Sequence, residues 1–280
     1  MHARQLARLQ LDGELREALE LGQFSVSYQP IIGFPAGRIV GAEALLRWNH
    51  PTRAIGPLEF IELAEESGEI VAIGAWVLRE ACRQARTWQT KIAGARDLRI
   101  SVNVSARELV EGTFVEGVEA ALAESRLAAG SLALEITESM MLADETAAIA
   151  SLRRLRELGV HIVVDDFGTG YSSLSYLKRL PVDGLKIDRS FVEGLGEERE
   201  KSAIVRATIA LARALGLTVT AEGIENATQL RRLLALQCDL GQGYHFAPPL
   251  QPDAMTALLA ERHQFRLPVA RAKRSKARAA

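Results

Sequence analysis

Asp165 and Asp166 stand side by side where the apolar run His161–Val164 stops. A turn bracketed by glycines, Gly168-Thr169-Gly170, follows them, and Ser172-Ser173-Leu174 then reads as the start of a helix. Two carboxylates aimed at one small volume repel, and one pKa rises unless a cation lies between them. Adjacent strand residues point to opposite faces, so the pair can share a site only where the strand ends. That pattern suits a divalent-cation site at a strand end. The same residues would equally make a polar turn after a strand.

Similar chemistry recurs along the chain. Glu43 precedes Leu45 and Arg47, Asn103 sits in S-V-N-V-S, and Glu135 and Glu138 frame E-I-T-E. Lys186 and Asp188 close L-K-I-D, Glu222 precedes Gly223, and Gln242 follows Gly241. Taken singly, each has an ordinary structural reading. A glutamate at a strand end is solvated or caps a helix, Asn103 could cap the next helix, and Lys186 could pair with Asp188 at the surface for at most about 1 kcal/mol. Taken together, Glu43, Asn103, Glu135, Asp165, Asp166 and Glu222 are all oxygen donors, which suit Mg²⁺ or Mn²⁺ rather than zinc. No histidine joins them: His50 and His161 read as structural, and His245 is isolated. Five carboxylates exceed what one ion needs. Two ions about 3.5–4 Å apart, bridged by one carboxylate, is the economical arrangement, and such sites serve phosphoryl chemistry.

Holding these groups together requires a frame. Short apolar runs predict strands near Ser25–Gln29, Ile39–Leu45, Leu98–Asn103, Leu132–Ile136, His161–Asp165, Gly184–Ile187, Leu217–Glu222 and Gly241–Phe246. Helical periodicity predicts Leu58–Glu66, Ile70–Trp88, Phe114–Glu124, Thr146–Leu158, Ser202–Leu215 and Ala227–Leu236 between most of them. Alternating helices and short buried strands specify an α/β fold with a parallel sheet, and eight strands specify a closed TIM (β/α)8 barrel. Only Pro30–Arg38 separates the first two strands. A parallel crossover needs about a dozen residues or more, so these two form an antiparallel hairpin and the barrel is a modified one. An open doubly wound sheet is the competing topology, though no glycine-rich dinucleotide fingerprint follows any strand. In a barrel, the strand ends converge on one mouth.

The bulk properties agree. A chain of 280 residues accommodates one barrel of about 250. No apolar stretch has the length to span a bilayer, and the amino terminus lacks a signal peptide's apolar core. Cys82 and Cys238 lack neighbours at metal spacing and read as reduced, buried thiols, which fits a cytoplasmic protein. Residues 4–20 predict an amphipathic helix, so 1–22 is expected to be a connector to an upstream regulatory domain. The barrel domain is then 23–261, and 262–280 a disordered basic tail. Seven Lys or Arg from Arg262 onward, with no acid, leave −1 − 7 = −8 on the remainder. A solvated tail is the simpler reading than contact with a nucleic-acid polymer.

The motifs in order identify a resemblance. They are Glu43-Ala44-Leu45 with L-R-W following, His50-Pro51, N-V-S-A-R at 103–107, E-I-T-E, D-D-F-G-T-G-Y-S-S-L, L-P-V-D-G-L-K-I-D, A-E-G-I-E at 221–225 and Q-G-Y-H-F at 242–246. From about Phe24 to Pro252 the chain resembles the EAL-domain family of bacterial cyclic di-GMP phosphodiesterases. The resemblance implies a TIM-like barrel with one reversed strand and hydrolysis of cyclic di-GMP to linear pGpG with two Mg²⁺ or Mn²⁺. By position, Glu43, Asn103, Glu135 and Asp165 would hold one ion, and Asp165 would bridge to a second shared with Asp166 and Glu222. Lys186 would orient the attacking water, with Glu222 beside it. Glu138 would tether the loop after the fifth strand. Arg47 would hold a substrate phosphate, while Gln29, Leu45, Asp188 and Gln242 would contact the nucleotide or its surroundings. A homodimer through the helix after the fifth strand is also implied. T-R-A-I-G at 52–56 departs from the family, with Ala54 where glycine is usual and one residue fewer, which touches the rim and removes no ligand. The alternative is a catalytically silent cyclic di-GMP receptor.

Overall fold

The computed structural model of the chain describes residues 11–137, 140, 145–169, 177, 179–262 and 264–267. Eight strands close into a barrel in sequence order. They are β1 (Phe24–Gly33), β2 (Arg38–Trp48), β3 (Arg99–Val104), β4 (Leu132–Thr137), β5 (His161–Phe167), β6 (Gly184–Ile187), β7 (Thr218–Ala221) and β8 (Leu240–Gly241). β1 runs antiparallel to both β2 and β8, and the other neighbouring pairs are parallel. The short Pro30–Arg38 connection thus makes the expected hairpin, and the modified barrel is the observed fold.

Helices cover the outside. They are α1 (11–18), α2 (Pro57–Ser67), α3 (Ile70–Lys91), α4 (Ala106–Val110), α5 (Phe114–Ser125), α6 (Glu145–Glu157), α7 (Arg189–Glu193), α8 (Arg199–Leu215), α9 (Ala227–Ala235) and α10 (Pro252–Ala260). Leu11, Leu15 and Ala18 form the buried face of α1, and residues 4–10 of that expected helix lie outside the described residues. Outward-facing strand residues such as Ile100, Leu134, Ile162 and Leu185 are wholly buried against the helices. The long helix α3 anchors one side, where Trp88 meets Tyr28 edge-on at 4.8 Å and donates to Thr256 Oγ1 at 2.7 Å.

Three short or late helices, α4, α7 and α10, escape the periodicity because two span barely more than a turn and one begins with proline. Their caps define them instead. Ser105 and Glu108 form a capping box on α4, so Asn103 does not cap it. The eighth strand is also much shorter than Gly241–Phe246. After Gly241 the chain wraps Ile224, with Ile224 N donating to Gln242 O and His245 N to Ile224 O. Gly243 sits so near the Ile224 backbone that a Cβ there would overlap it. On the tail side of residue 262, Gln264 bridges Arg38, and Phe265 N donates to Gly37 O at 2.8 Å.

Candidate metal centre

Alternation along the strands points Gln29, Glu43, Asn103, Glu135, Asp165 and Lys186 towards the mouth, with Glu222 and Gln242 just past their strands. Lys186 occupies the middle. Its Nζ lies 2.5 Å from Glu135 Oε2, 2.5 Å from Glu222 Oε1, 3.1 Å from Asp165 Oδ2 and 3.4 Å from Glu43 Oε2. The side chain is 1% exposed, so the surface pair with Asp188 does not form. Asp188 instead caps α7, accepting from the Ser190 backbone N–H at 3.0 Å and from its hydroxyl.

One buried ammonium does not neutralise four carboxylates, of which Glu43, Glu135 and Asp165 are buried and Glu222 is partly so. Burial pushes Glu135 well above the usual carboxylate range against the pull of Lys186, with Glu43 and Asp165 adding to the rise. Burial likewise raises Glu222 to about 8, and Asp166 to about 6 with help from Asp165 and Asp188. Glu43 goes the other way. Burial opposes its charge, yet Lys186 and the amides of Gln242 and Asn103 hold it below the usual range. Asn103 Nδ2 donates to Glu43 Oε1 at 2.7 Å, and Gln242 Nε2 donates to Glu43 Oε2 at 2.6 Å and to Glu222 Oε1 at 3.2 Å. Burial lowers the Lys186 pKa, but Asp165, Glu135, Glu222 and Glu43 outweigh it and hold the ammonium firmly charged.

Two sets of carboxylates converge tightly enough to hold a cation. Glu43, Glu135 and Asp165 offer oxygens within 4.8 Å of one another, as do Asp165, Asp166 and Glu222. Asp165 belongs to both. The donor set fits hard divalent cations: it is all oxygen, rich in charge and short of compensation. Among the described residues, the buried Gln242 Oε1 also lacks a hydrogen-bond partner at the same place.

The way adjacent aspartates share the site differs from the expectation that β5 ends at Asp165. The strand continues to Phe167, but Val164 pairs with Leu185 and Phe167 with Ile187, so β5 carries one extra residue. That β-bulge redirects the side chains. Asp166 takes up the kink with φ of 53°, in the left-handed region that aspartate tolerates better than most residues, and its N–H donates to Asp165 Oδ1 at 2.8 Å.

The remaining predicted residues spread around the rim. Gln29 pairs with Glu43 across the hairpin and donates to Ala247 O at 3.2 Å. Leu45 and Arg47 line a groove of about 530 Å³ with Asn103, Leu58 and Ile61. Sequence periodicity alone did not single out Leu58 as part of this rim; it is 88% exposed at the start of α2. Glu138 and residues 170–176 of the loop after β5, including the start of the helix expected to mediate a dimer, lie outside the described residues. His50 stacks edge-on against Trp48 and meets Glu14 at 3.1 Å, a structural role as expected. Cys82 and Cys238 are buried and free.

With the geometry established, comparison with known proteins identifies the family. The EAL domain model matches residues 12–249. Over 261 residues the chain is 44% identical to the bifunctional diguanylate cyclase/cyclic di-GMP phosphodiesterase MucR of Pseudomonas aeruginosa, covering 93% of this chain and 38% of MucR. It is 45% identical over 252 residues to the cyclic di-GMP phosphodiesterase NbdA of the same organism, covering 90% of this chain and 32% of NbdA. The chain thus spans about a third of these relatives. A solved structure of the MucR phosphodiesterase in complex with c-di-GMP superposes with a TM-score of 0.84 at 45% identity, covering 88% of this chain and 99% of that one. A carboxylate-lined mouth on a barrel with one reversed strand, together with these matches, places the chain in the EAL domain family.

Proposed function

We propose that the chain hydrolyses cyclic di-GMP to linear pGpG, using two Mg²⁺ or Mn²⁺ ions. The observation that carries this reading is the sharing of Asp165 by two converging carboxylate sets around a buried lysine. Glu43, Asn103, Glu135 and Asp165 would hold one ion, and Asp165, Asp166 and Glu222 the other. Asn103 turns its N–H to Glu43, which leaves Oδ1 as its ligand atom. Cations at such a site supply a nucleophile at neutral pH and neutralise charge on the transferring phosphoryl group.

The protein's own groups do the positioning. Lys186, in contact with four carboxylates, is a fixed donor that orients the attacking water. Gln242 ties Glu43 to Glu222 and so links the two ion positions. Arg47 stands at the rim, where it meets a substrate phosphate, and Leu45 provides apolar surface beside it. Gln29 and Asp188 flank the nucleotide, and Glu138 tethers the loop after β5. The same nucleotide appears in the complex of the MucR relative, which supports the substrate assignment.

The test is incubation of the purified chain with cyclic di-GMP and Mn²⁺, followed by chromatography. Conversion to pGpG, abolished by EDTA, is the expected result. A bound but unchanged nucleotide would make the chain a receptor instead.

A further inference from the structure

One inward position below the carboxylate ring, each strand contributes to a second layer of side chains. Barrel interiors of this architecture are usually filled there by bulky branched residues. Here five of the eight positions are small: Gly41, Ser101, Ala133, Gly184 and Thr220. The under-filled layer leaves a cavity of about 530 Å³, and Ile31, Val40, Val163 and Leu240 make its wall mostly apolar. Lys186 and Glu135, 1% and 2% exposed, close it off from the mouth. It is a chamber of its own, open at the opposite end of the barrel, where Asp97, Arg99 and Thr218 are exposed.

Four titratable side chains line that opening: Asp97, Arg99, His161 and Asp183. Two are committed within the fold. Asp183 Oδ2 accepts from the Ile162 backbone N–H at 3.0 Å, and the carboxylate also faces Arg156 at 3.5 Å and His161 at 3.8 Å. Burial and the nearby Arg99 push the His161 pKa down against the pull of Asp183, which keeps the imidazole neutral at neutral pH. The other two are uncommitted. Among the described residues, neither the Arg99 guanidinium nor the Asp97 carboxylate forms a hydrogen bond or an ion pair. The opening therefore presents one free cation and one free anion above an apolar chamber.

We propose that the lower end of the barrel binds a free α-amino acid with an apolar side chain, of the leucine or phenylalanine kind. Its carboxylate pairs with the Arg99 fork and its ammonium with Asp97, both as charge-assisted hydrogen bonds. Its side chain enters the space beside Ala133, Val163 and Leu240. The volume lies within the range of about 300–1,000 Å³ usual for small-molecule sites, which combine apolar walls with a few orienting polar groups. This site is separate from the carboxylate ring, and its occupation does not depend on the hydrolysis proposed above.

Titration calorimetry of the purified chain in EDTA, with no nucleotide present, tests the site. Saturable one-to-one binding of L-phenylalanine or L-leucine is the expected result. Analogues that keep the apolar body and lack the ammonium (hydrocinnamate, isocaproate) or the carboxylate (phenethylamine, isoamylamine) should each bind at least about ten-fold more weakly. Arg99→Gln and Asp97→Asn, both at exposed positions, should weaken the amino acid to the same degree. Ala133→Leu, which fills the chamber from its wall, should abolish binding and raise the melting temperature, because it buries apolar surface in space the fold leaves open. Absence of saturable binding by both amino acids, or undiminished binding in Ala133→Leu or Arg99→Gln, would overturn the site. Hydrocinnamate binding as tightly as phenylalanine, or isocaproate as tightly as leucine, would overturn the zwitterionic ligand.

Discussion

Replacing Lys186 by methionine tests the electrostatic reading of the centre. The substitution keeps much of the volume and removes an ammonium that contacts four carboxylates between 2.5 and 3.4 Å. Removing one partner of a buried ion pair costs about 3–5 kcal/mol, because the charge left behind is uncompensated. Metal-free protein should lose an amount in that range at mildly alkaline pH, read from guanidinium denaturation in EDTA. The loss should shrink in acid, where the carboxylates protonate, and shrink again in Mn²⁺, which replaces the missing positive charge. Turnover should not recover with stability. A donor fixed beside the reacting water contributes on the order of 100-fold or more, and no cation at the carboxylate positions reproduces its directed N–H bonds. Equal stability of variant and wild type in EDTA at alkaline pH would refute the account, since the ammonium would then offset no carboxylate repulsion. Restored stability together with full activity in Mn²⁺ would refute the proposed role in orienting water.

Glu43→Ala and Asp165→Asn each remove an oxygen donor and should abolish turnover in Mg²⁺ or Mn²⁺; full activity in either variant would show the two-ion assignment to be wrong. Asp166 and Glu222 have folded-state values raised to about 6 and about 8, so the stability they contribute is complete below the ordinary carboxylate range and is lost as pH rises through 6 to 8. Metal-free protein should therefore melt lower at about pH 8.5 than at about pH 5.5, with Mg²⁺ narrowing the gap because the cation binds the ionised forms. A melting temperature that climbs over this interval in EDTA would contradict the raised values. Gly74→Ala puts a Cβ into the Glu108 carboxylate, which is buried and held by Ser105 N and Oγ at 2.8 and 2.7 Å. Overpacking of that kind costs about 1–3 kcal/mol, and thermal melting should fall by about 2–4 °C for each. An unchanged melting temperature would mean that Glu108 swings aside freely.

The barrel was legible because its strands keep apolar residues on the outward side and place one polar group apiece near the mouth. Even the reversed strand followed from the length of Pro30–Arg38 alone. Lys186 was legible as a residue at the mouth, but not as its centre, because four carboxylates from β2, β4, β5 and the end of β7 meet it only after the barrel closes. The bulge at Asp165 and Asp166 left no local mark either, since an extra residue in a strand shows only against its partner's register. Gln242 suggested a nucleotide contact, yet its amide clamps Glu43 and Glu222, a link across 199 and 20 residues that no spacing encodes. The short helices were hidden because their signal lies in capping side chains such as Asp188 and Ser105, which compete with functional readings of the same polar residues.

The reversal of β1 decides which end of the barrel receives the chain's leading segment. In a fully parallel barrel the first strand begins at the face opposite the mouth. Here Phe24 pairs with Trp48, at the mouth end of β2, so α1 is delivered to the working face. There Glu14 grips both His50 and Arg53 at 3.1 and 3.0 Å, and Gln23 accepts from the Trp48 indole at 3.0 Å. The helix is thus a handle bolted to the loop after β2, the strand that carries Glu43, Leu45 and Arg47.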